Sequence, residues 1–109
     1  MELAKLVWPE VDRESLLVVP LGSTEQHGPH LPMDTDARIA EAIASGAATA
    51  VPQVTVAPVL AYGSSGEHQA FAGTLSIGTE ALHLVLVELV RSASSTFRQV
   101  VLVNGHGGN

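Results

Sequence analysis

Apolar runs alternate with polar loops along the chain. The run Ser15–Gly22, SLLVVPLG, is almost wholly apolar, as expected of a strand that is buried on both faces. Gln53–Gly63 is a second strand candidate, which Pro58 interrupts, and Arg98–Val103 is a third. The pattern therefore predicts three strands, each followed by a polar loop.

Two segments between these strands have helical spacing. Thr35–Ala50 is predicted as a helix with Asp34 or Thr35 as its N-cap. Gly78–Ser94 gives a second helix with Thr79 as the predicted cap, and because it is apolar nearly all round we expect it to be buried. Strands that alternate with helices predict an α/β fold, with a mostly parallel sheet and helices on its faces.

Composition restricts the class of protein. The 109 residues are 46% hydrophobic and 15% charged, which predicts one globular core rather than a disordered chain. The net charge of -6, with only 5 Lys and Arg, argues against a nucleic-acid partner. The lack of cysteine excludes disulfides, thiolate zinc sites and a Cys nucleophile. No signal-peptide pattern and no apolar run near the ~18 residues of a membrane span are found, so we expect no membrane partner and a cytoplasmic location.

Polar side chains that can bind metal follow each predicted strand. GSTEQHGPH follows the first strand, GSSGEH the second and NGHGGN the third. Because the carboxyl ends of parallel strands meet at one edge of a sheet, we expect the His and Glu side chains of these loops to meet there. They are Glu25, His27, His30, Glu67, His68 and His106.

Imidazole and carboxylate groups on a stiff loop are suited to a divalent metal ion, which lowers the pKa of a bound water towards ~7. Glu25 and His27 are two apart in an extended segment, so they project from the same side and can serve neighbouring ions. Asp36, at the start of the predicted helix, can reach back into the same pocket. Pro29 and Pro32 limit the freedom of the loop, which lowers the entropy lost when ligands are fixed.

Each of these features also has a plain structural interpretation. His and Glu in a Gly/Pro loop are commonly turn residues, and Asp34 before a helix is commonly a cap. The NGHGGN segment can be a glycine turn chosen for its backbone conformation. His83 lies among Leu and Val residues and is interpreted as a hydrogen-bonded histidine of the core or of an interface. The coincidence of three such loops at one sheet edge favours the metal site.

Three motifs in this order, GSTEQHGPHLPMDTD, GEHQAFAGTLSIG and VNGHGGN, resemble the creatininase (creatinine amidohydrolase) family. The resemblance implies a three-layer α/β/α fold, hydrolysis of amide C–N bonds by two divalent ions of zinc, manganese or iron, and a homo-oligomer, commonly a hexamer. Carried over residue by residue, it implies that Glu25 and His106 bind one metal, that His27 binds the other and that Asp36 bridges both.

The stretch Ala57–Leu82 is similar to one branch of the family, peptidases that release a C-terminal dipeptide from a modified precursor peptide. The resemblance therefore implies a peptide substrate, with creatinine or another small cyclic or linear amide as the alternative. Glu67 and His68 are the candidate catalytic residues, expected to line the substrate pocket.

Two departures from the family pattern matter. In creatininase proper, a glutamate two positions after the metal-binding histidine supplies the second ion, and here that position is Gly108. Since other members carry the same version, the change indicates another substrate rather than loss of metal. Family members are also considerably longer, with a later motif containing His and Glu. We therefore expect residues 1–109 to be the N-terminal part of a single creatininase-like domain, truncated at the C-terminus, with exposed apolar surface and a free sheet edge.

Other function classes compete with a metal-dependent hydrolase. A nucleotide-binding domain needs a phosphate cradle, but neither G-x-G-x-x-G nor G-x-x-x-x-G-K-[ST] occurs. A serine hydrolase needs the G-x-S-x-G turn, and YGSSGEH lacks its last glycine. The remaining rival is a non-catalytic metal-binding or assembly fragment, which has the fold and half of the ligands without turnover.

Overall fold

The computed structural model describes residues 1–109 and contains a parallel sheet of three strands. The strands are β1 (Leu16–Leu21), β2 (Val54–Val56) and β3 (Gln99–Asn104), in the order β2-β1-β3. β1 is central and pairs in parallel with both neighbours. The predicted parallel sheet is therefore confirmed, and its carboxyl edge carries the polar loops.

β2 is shorter than the predicted strand, which extended to Gly63. After Val56 the ladder stops, and only Leu60 forms a further isolated bridge, to Leu21. Pro58 lies between these two points and has no N–H group to donate to the ladder. The chain nevertheless stays beside β1 up to the polar loop.

Two helices cover opposite faces of the sheet. They are α1 (Thr35–Ala50) and α2 (Thr79–Ala93), and neither helix has the length and apolar character that crossing a membrane requires. Alternate side chains of β1 point to opposite faces, so each helix has its own core cluster. The cluster under α2 comprises Leu17, Val19, Leu21 and Phe97, and the cluster under α1 comprises Val18, Ala44, Val54 and Val56. This arrangement confirms the predicted three-layer α/β/α fold.

The helix starts differ in part from prediction. Asp34 is the N-cap residue of α1, but its carboxylate makes no cap hydrogen bond and instead accepts one from Arg38 Nε at 2.8 Å. The N-cap of α2 is Gly78 rather than the predicted Thr79, which is the first helical residue. Gly78 has φ 79°, a left-handed conformation that glycine adopts without strain. The Thr79 hydroxyl lies 2.7 Å from the Ser64 hydroxyl and forms a hydrogen bond with it instead of capping the helix.

The predicted burial of α2 is wrong. Leu82 is its one buried residue, whereas Leu84 is 63% exposed and Val87 is 39% exposed. His83 is also exposed, so it is not a core histidine, and the alternative of an interface histidine stays a prediction. The reason is that α2 covers the sheet with one face only, and within these residues no further element packs on its other sides.

We expect residues 1–109 to self-associate through the exposed face of α2, defined by Leu84 and Val87, because contiguous apolar surface promotes association. Replacing both residues by Lys should shift sedimentation-velocity profiles towards the monomer. Ser45→Lys on the exposed side of α1 is the matched control and should change little. A monodisperse monomer with a sharp, reversible two-state melt would contradict this prediction.

Candidate metal centre

The polar loops after the three strands meet at one edge of the sheet, as predicted. Asn109 links them, since its amide nitrogen donates to the Gly22 carbonyl at 3.0 Å and its amide oxygen accepts from the Ser64 N–H at 2.9 Å. The Gly105 N–H donates to the Leu21 carbonyl at 2.8 Å. The loops are therefore held together by the Asn109 side chain and by a backbone hydrogen bond, independently of the His and Glu side chains.

Two glycines allow the first turn of α1 to touch this edge. A Cβ atom at Gly22 would lie 2.5 Å from Ala37 Cα, and a Cβ atom at Gly105 would overlap the carbonyl oxygen of Asp36. No side chain fits at either position, so α1 begins in direct contact with the ends of β1 and β3. The Asp36 carboxylate is thereby directed between the polar loops.

Asp36 is 6% exposed, and its two carboxylate oxygens face different histidines. Oδ1 lies 2.8 Å from His27 Nε2, and Oδ2 lies 3.0 Å from His106 Nδ1. Oδ2 also accepts a hydrogen bond of 2.6 Å from the Ser23 hydroxyl. One carboxylate thus connects two imidazole rings while a buried serine fixes its orientation.

Glu25 is the second buried carboxylate, 2% exposed. Its Oε1 lies 2.9 Å from His106 Nδ1 and 3.8 Å from His27 Nε2. Its Oε2 is buried and has no hydrogen-bond partner. A buried oxygen of this kind is costly unless a cation or a donor compensates it.

The two histidines beside these carboxylates are oriented through their far ring nitrogens. His106 Nε2–H donates to the Ser64 carbonyl at 2.9 Å, and His27 Nδ1–H donates to the Glu25 carbonyl at 3.2 Å. In the neutral rings, the near nitrogens, His106 Nδ1 and His27 Nε2, carry the lone pairs that a cation between them and the carboxylates would use. Metal ligands require this tautomer, and a backbone acceptor on the far nitrogen commonly fixes it. The donor set therefore fits divalent cations.

Burial and neighbouring groups shift the proton affinities of the site. Burial raises the pKa of Glu25, and the adjacent Asp36 adds to this effect. Burial also acts to raise the pKa of Asp36, but hydrogen bonds from Ser23, Glu25 and His27 outweigh it and lower that pKa. For His27, burial acts to lower the pKa, and the Glu25 carbonyl and the Asp36 carboxylate outweigh it and raise the pKa. The pKa values of Glu25 and Asp36 are thus shifted in opposite directions, although both carboxylates are buried.

Glu67 and His68 lie at the open side of the site, on the short 3-10 turn Gly66–His68. Their side chains are 52% and 28% exposed. Glu67 Oε1 lies 3.3 Å from His106 Nε2, and His68 Nε2 lies 3.5 Å from Glu25 Oε2. The structure therefore holds two groups of potential ligand atoms that share Glu25, each group with its atoms within 4.8 Å of one another. They are Glu25, Asp36 and His106, and Glu25, Glu67 and His68.

Not every sequence candidate takes part. His30 is exposed and belongs to neither group. His27 also belongs to neither group, although its Nε2 lies 2.8 Å from Asp36 Oδ1. The sequence interpretation, in turn, did not single out Ser23, Gln26 or Asn109, which orient or connect members of the site. Gln26 follows Glu25 directly and Ser23 lies two positions before it, so their closeness in sequence to a predicted ligand was the available signal.

The chain is similar in sequence and structure to a family of known proteins. The sequence profile described as creatininase, creatinine amidohydrolase, matches residues 4–109. The chain belongs to the creatininase family. Members of this family that resemble it in structure include a manganese creatininase and a creatininase variant of Zn–Zn type. Those metals are properties of the related proteins, and they agree with the donor set described above.

Two relatives and one structure illustrate the match within the creatininase family. The mycofactocin precursor peptide peptidase of Mycobacterium tuberculosis H37Rv is 58% identical over 102 residues, covering 85% of this chain and 41% of the relative. The creatinine amidohydrolase of Pseudomonas putida is 30% identical, covering 98% and 45%. A crystal structure of creatinine amidohydrolase superposes with a TM-score of 0.88 at 29% identity, covering 96% of this chain and 44% of that chain. The chain thus spans less than half the length of these relatives.

Proposed function

We propose that the chain acts as a metal-dependent amidohydrolase that cleaves a C-terminal dipeptide from the mycofactocin precursor peptide. One observation carries the metal dependence: the buried Glu25 and Asp36 converge on His106 while Glu25 Oε2 has no partner. The much higher identity to the mycofactocin peptidase than to creatinine amidohydrolase supports the peptide substrate.

The proposed ligand roles use the two carboxylate oxygens of Asp36. Glu25 and His106 hold one divalent ion, His27 holds the other, and Asp36 bridges both. In support, Asp36 presents Oδ2 towards His106 and Oδ1 towards His27, at 3.0 and 2.8 Å. The two histidines offer lone pairs on the nitrogens nearest to this carboxylate.

When bound, two ions of zinc, manganese or iron supply a Lewis acid for the amide carbonyl and a water of lowered pKa. The contribution of the chain is to hold negative charge and fixed lone pairs in a buried place. Ser23 keeps Asp36 oriented, and the carbonyls of Ser64 and Glu25 keep both histidine rings from turning. The partly exposed Glu67 and His68 line the opening through which an amide substrate enters.

Gly108 distinguishes this opening from that of creatininase proper. A Cβ atom there would lie 2.5 Å from both His106 Nε2 and the Ser64 carbonyl, and 2.7 Å from Glu67 Oε1. A glutamate at this position would therefore clash with His106 and the Ser64 carbonyl as well as with Glu67. The glycine leaves the space to Glu67 and so supports a substrate pocket unlike that for creatinine.

Hydrolysis assays test the proposal directly. With added zinc, manganese or iron, the protein should release a dipeptide from the modified precursor peptide, detected by mass spectrometry, and a chelator should abolish release. Creatinine serves as the control substrate and should stay intact. Creatinine hydrolysis without peptide cleavage would favour the small-amide alternative. Stoichiometric metal without any hydrolysis would favour the non-catalytic alternative, and failure to bind metal would contradict the proposal.

A further inference from the structure

Gln26 contacts His68 through a hydrogen bond that gives His68 a different tautomer from those of the other two histidines. Gln26 Nε2 lies 3.0 Å from His68 Nδ1. The Gln26 Oε1 atom accepts a hydrogen bond of 2.7 Å from the Gly28 N–H. Since a backbone N–H donates only to an acceptor, this contact fixes which end of the amide is oxygen. The NH2 end of Gln26 therefore faces His68.

The direction of this hydrogen bond determines the tautomer of His68. Because the Gln26 amide donates, His68 Nδ1 accepts and carries no proton, so the neutral ring carries its proton on Nε2. Nε2 lies 3.5 Å from Glu25 Oε2 and 3.8 Å from Glu67 Oε1. In the neutral rings, the nitrogen of His68 that faces the candidate metal centre thus bears a hydrogen, whereas those of His27 and His106 bear lone pairs.

This difference decides between two roles for the group formed by Glu25, Glu67 and His68. The group could bind a third cation, or its histidine could act as a hydrogen-bond donor. A third cation at that point would need a lone pair on His68 Nε2, which requires Gln26 to turn over and lose its bond to Gly28. A hydrogen-bond donor needs no rearrangement. The carboxylates of Glu25 and Glu67 lie 3.5 and 3.8 Å from His68 Nε2 and form no hydrogen bond with it, so this donor is not used by them.

We propose that His68 is a hydrogen-bond donor to the oxygen of the scissile amide, that Gln26 is its positioning residue, and that His68 is not a metal ligand. The proposal rests on the proposed amide hydrolysis. Negative charge develops on that oxygen during hydrolysis, and a fixed donor aimed at it stabilises the transition state. The His68 side chain is 28% exposed, so a substrate can reach it. Loss of one such donor lowers kcat by about 10²- to 10³-fold.

The tautomer can be measured independently of activity. In the zinc-loaded protein with 15N-labelled histidine, NMR should show His68 protonated at Nε2 and unprotonated at Nδ1, with the signals assigned through His68→Gln. In Gln26→Glu, one carboxylate oxygen can still accept from Gly28 N–H and the other accepts from His68 Nδ1–H, so the protonated nitrogen should exchange. His83→Gln on the exposed side of α2 is the control and should leave the His68 signals unchanged.

Kinetics and metal content complete the test. Gln26→Glu and His68→Ala should keep the metal and lower kcat for peptide cleavage by about 10²-fold or more. His68→Gln, which retains an N–H donor, should recover part of the loss. Metal loss in His68→Gln, a metal-coordinated Nε2 signal, or an unchanged kcat in Gln26→Glu would overturn the inference. If the tautomer is as expected but the unaltered protein hydrolyses no peptide, the proposed function fails, and the donor role fails with it.

Discussion

Asp36→Asn should remove most of the bound metal and most of the hydrolytic activity. Asn keeps the shape of the side chain but gives up the negative charge, and one of its two terminal atoms becomes a donor that cannot face a cation. Because each oxygen of Asp36 faces a different histidine, both proposed ion positions are affected. The loss of metal affinity should exceed the roughly 10- to 100-fold typical of removing a residue that only supports a ligand. Metal analysis and peptide-cleavage rates measure the two effects.

Asp34→Asn is the matched control, two positions away in the same segment. The Asp34 side chain is 48% exposed and pairs with Arg38 on the surface of α1. An exposed helix pair of this kind contributes about 0.3–0.5 kcal/mol to stability, so metal content and activity should be retained. Circular dichroism of both variants would check that the fold persists. Full metal content in Asp36→Asn together with metal loss in Asp34→Asn would refute the assignment of the bridging carboxylate.

Gly22→Ala should displace the start of α1, with loss of both stability and metal. The added Cβ atom would lie 2.5, 2.6 and 2.8 Å from the Cα, N and Cβ atoms of Ala37. Two of these atoms belong to the backbone, so a change of rotamer cannot relieve the contact. Overpacking of this kind costs about 1–3 kcal/mol, and the shift would carry the neighbouring Asp36 away from His27 and His106. Urea denaturation and metal analysis would detect the two effects.

Gly46→Ala provides the opposite expectation on the same helix. No atom lies within 4 Å of a Cβ atom placed there, and Gly46 is inside α1. The change should therefore stabilise the protein by about 0.5–1 kcal/mol, through the lower entropy of the unfolded chain. Equal urea midpoints for Gly22→Ala and the unaltered protein, with full metal content, would mean that the close contact at Gly22 is not required.

The sequence predicted the sheet and the convergence of the polar loops because both follow from local rules. An apolar run such as Leu16–Leu21 indicates a buried strand, and the loops after parallel strands share one edge. The burial of α2 could not be predicted in the same way. The apolar positions of a helix show which surface requires a packing partner. Residues such as Leu84 and Val87 do not show whether residues 1–109 contain the element that would pack on that surface.

The finer arrangement of the site also depends on contacts that no periodicity encodes. The role of Gln26 follows from one hydrogen bond that its Oε1 accepts from the Gly28 N–H, and Gly28 has φ 75°. Similarly, Glu67 reaches His106 only because Gly108 has no side chain to occupy that space. The candidate residues could be named from the sequence, whereas the tautomers and neighbours of each required coordinates.

The two buried carboxylates couple the stability of the folded protein to metal binding. Folding brings Glu25 and Asp36 together around His106, and an unfolded chain has no such preformed site. Any ion that binds only the folded form stabilises it in proportion to RT ln(1 + [L]/Kd), about 2.7 kcal/mol at a free concentration of 100 Kd. The folded fraction would then rise and fall with the supply of zinc, manganese or iron. Proteases degrade the unfolded fraction, so the cellular amount of this protein would depend on metal availability.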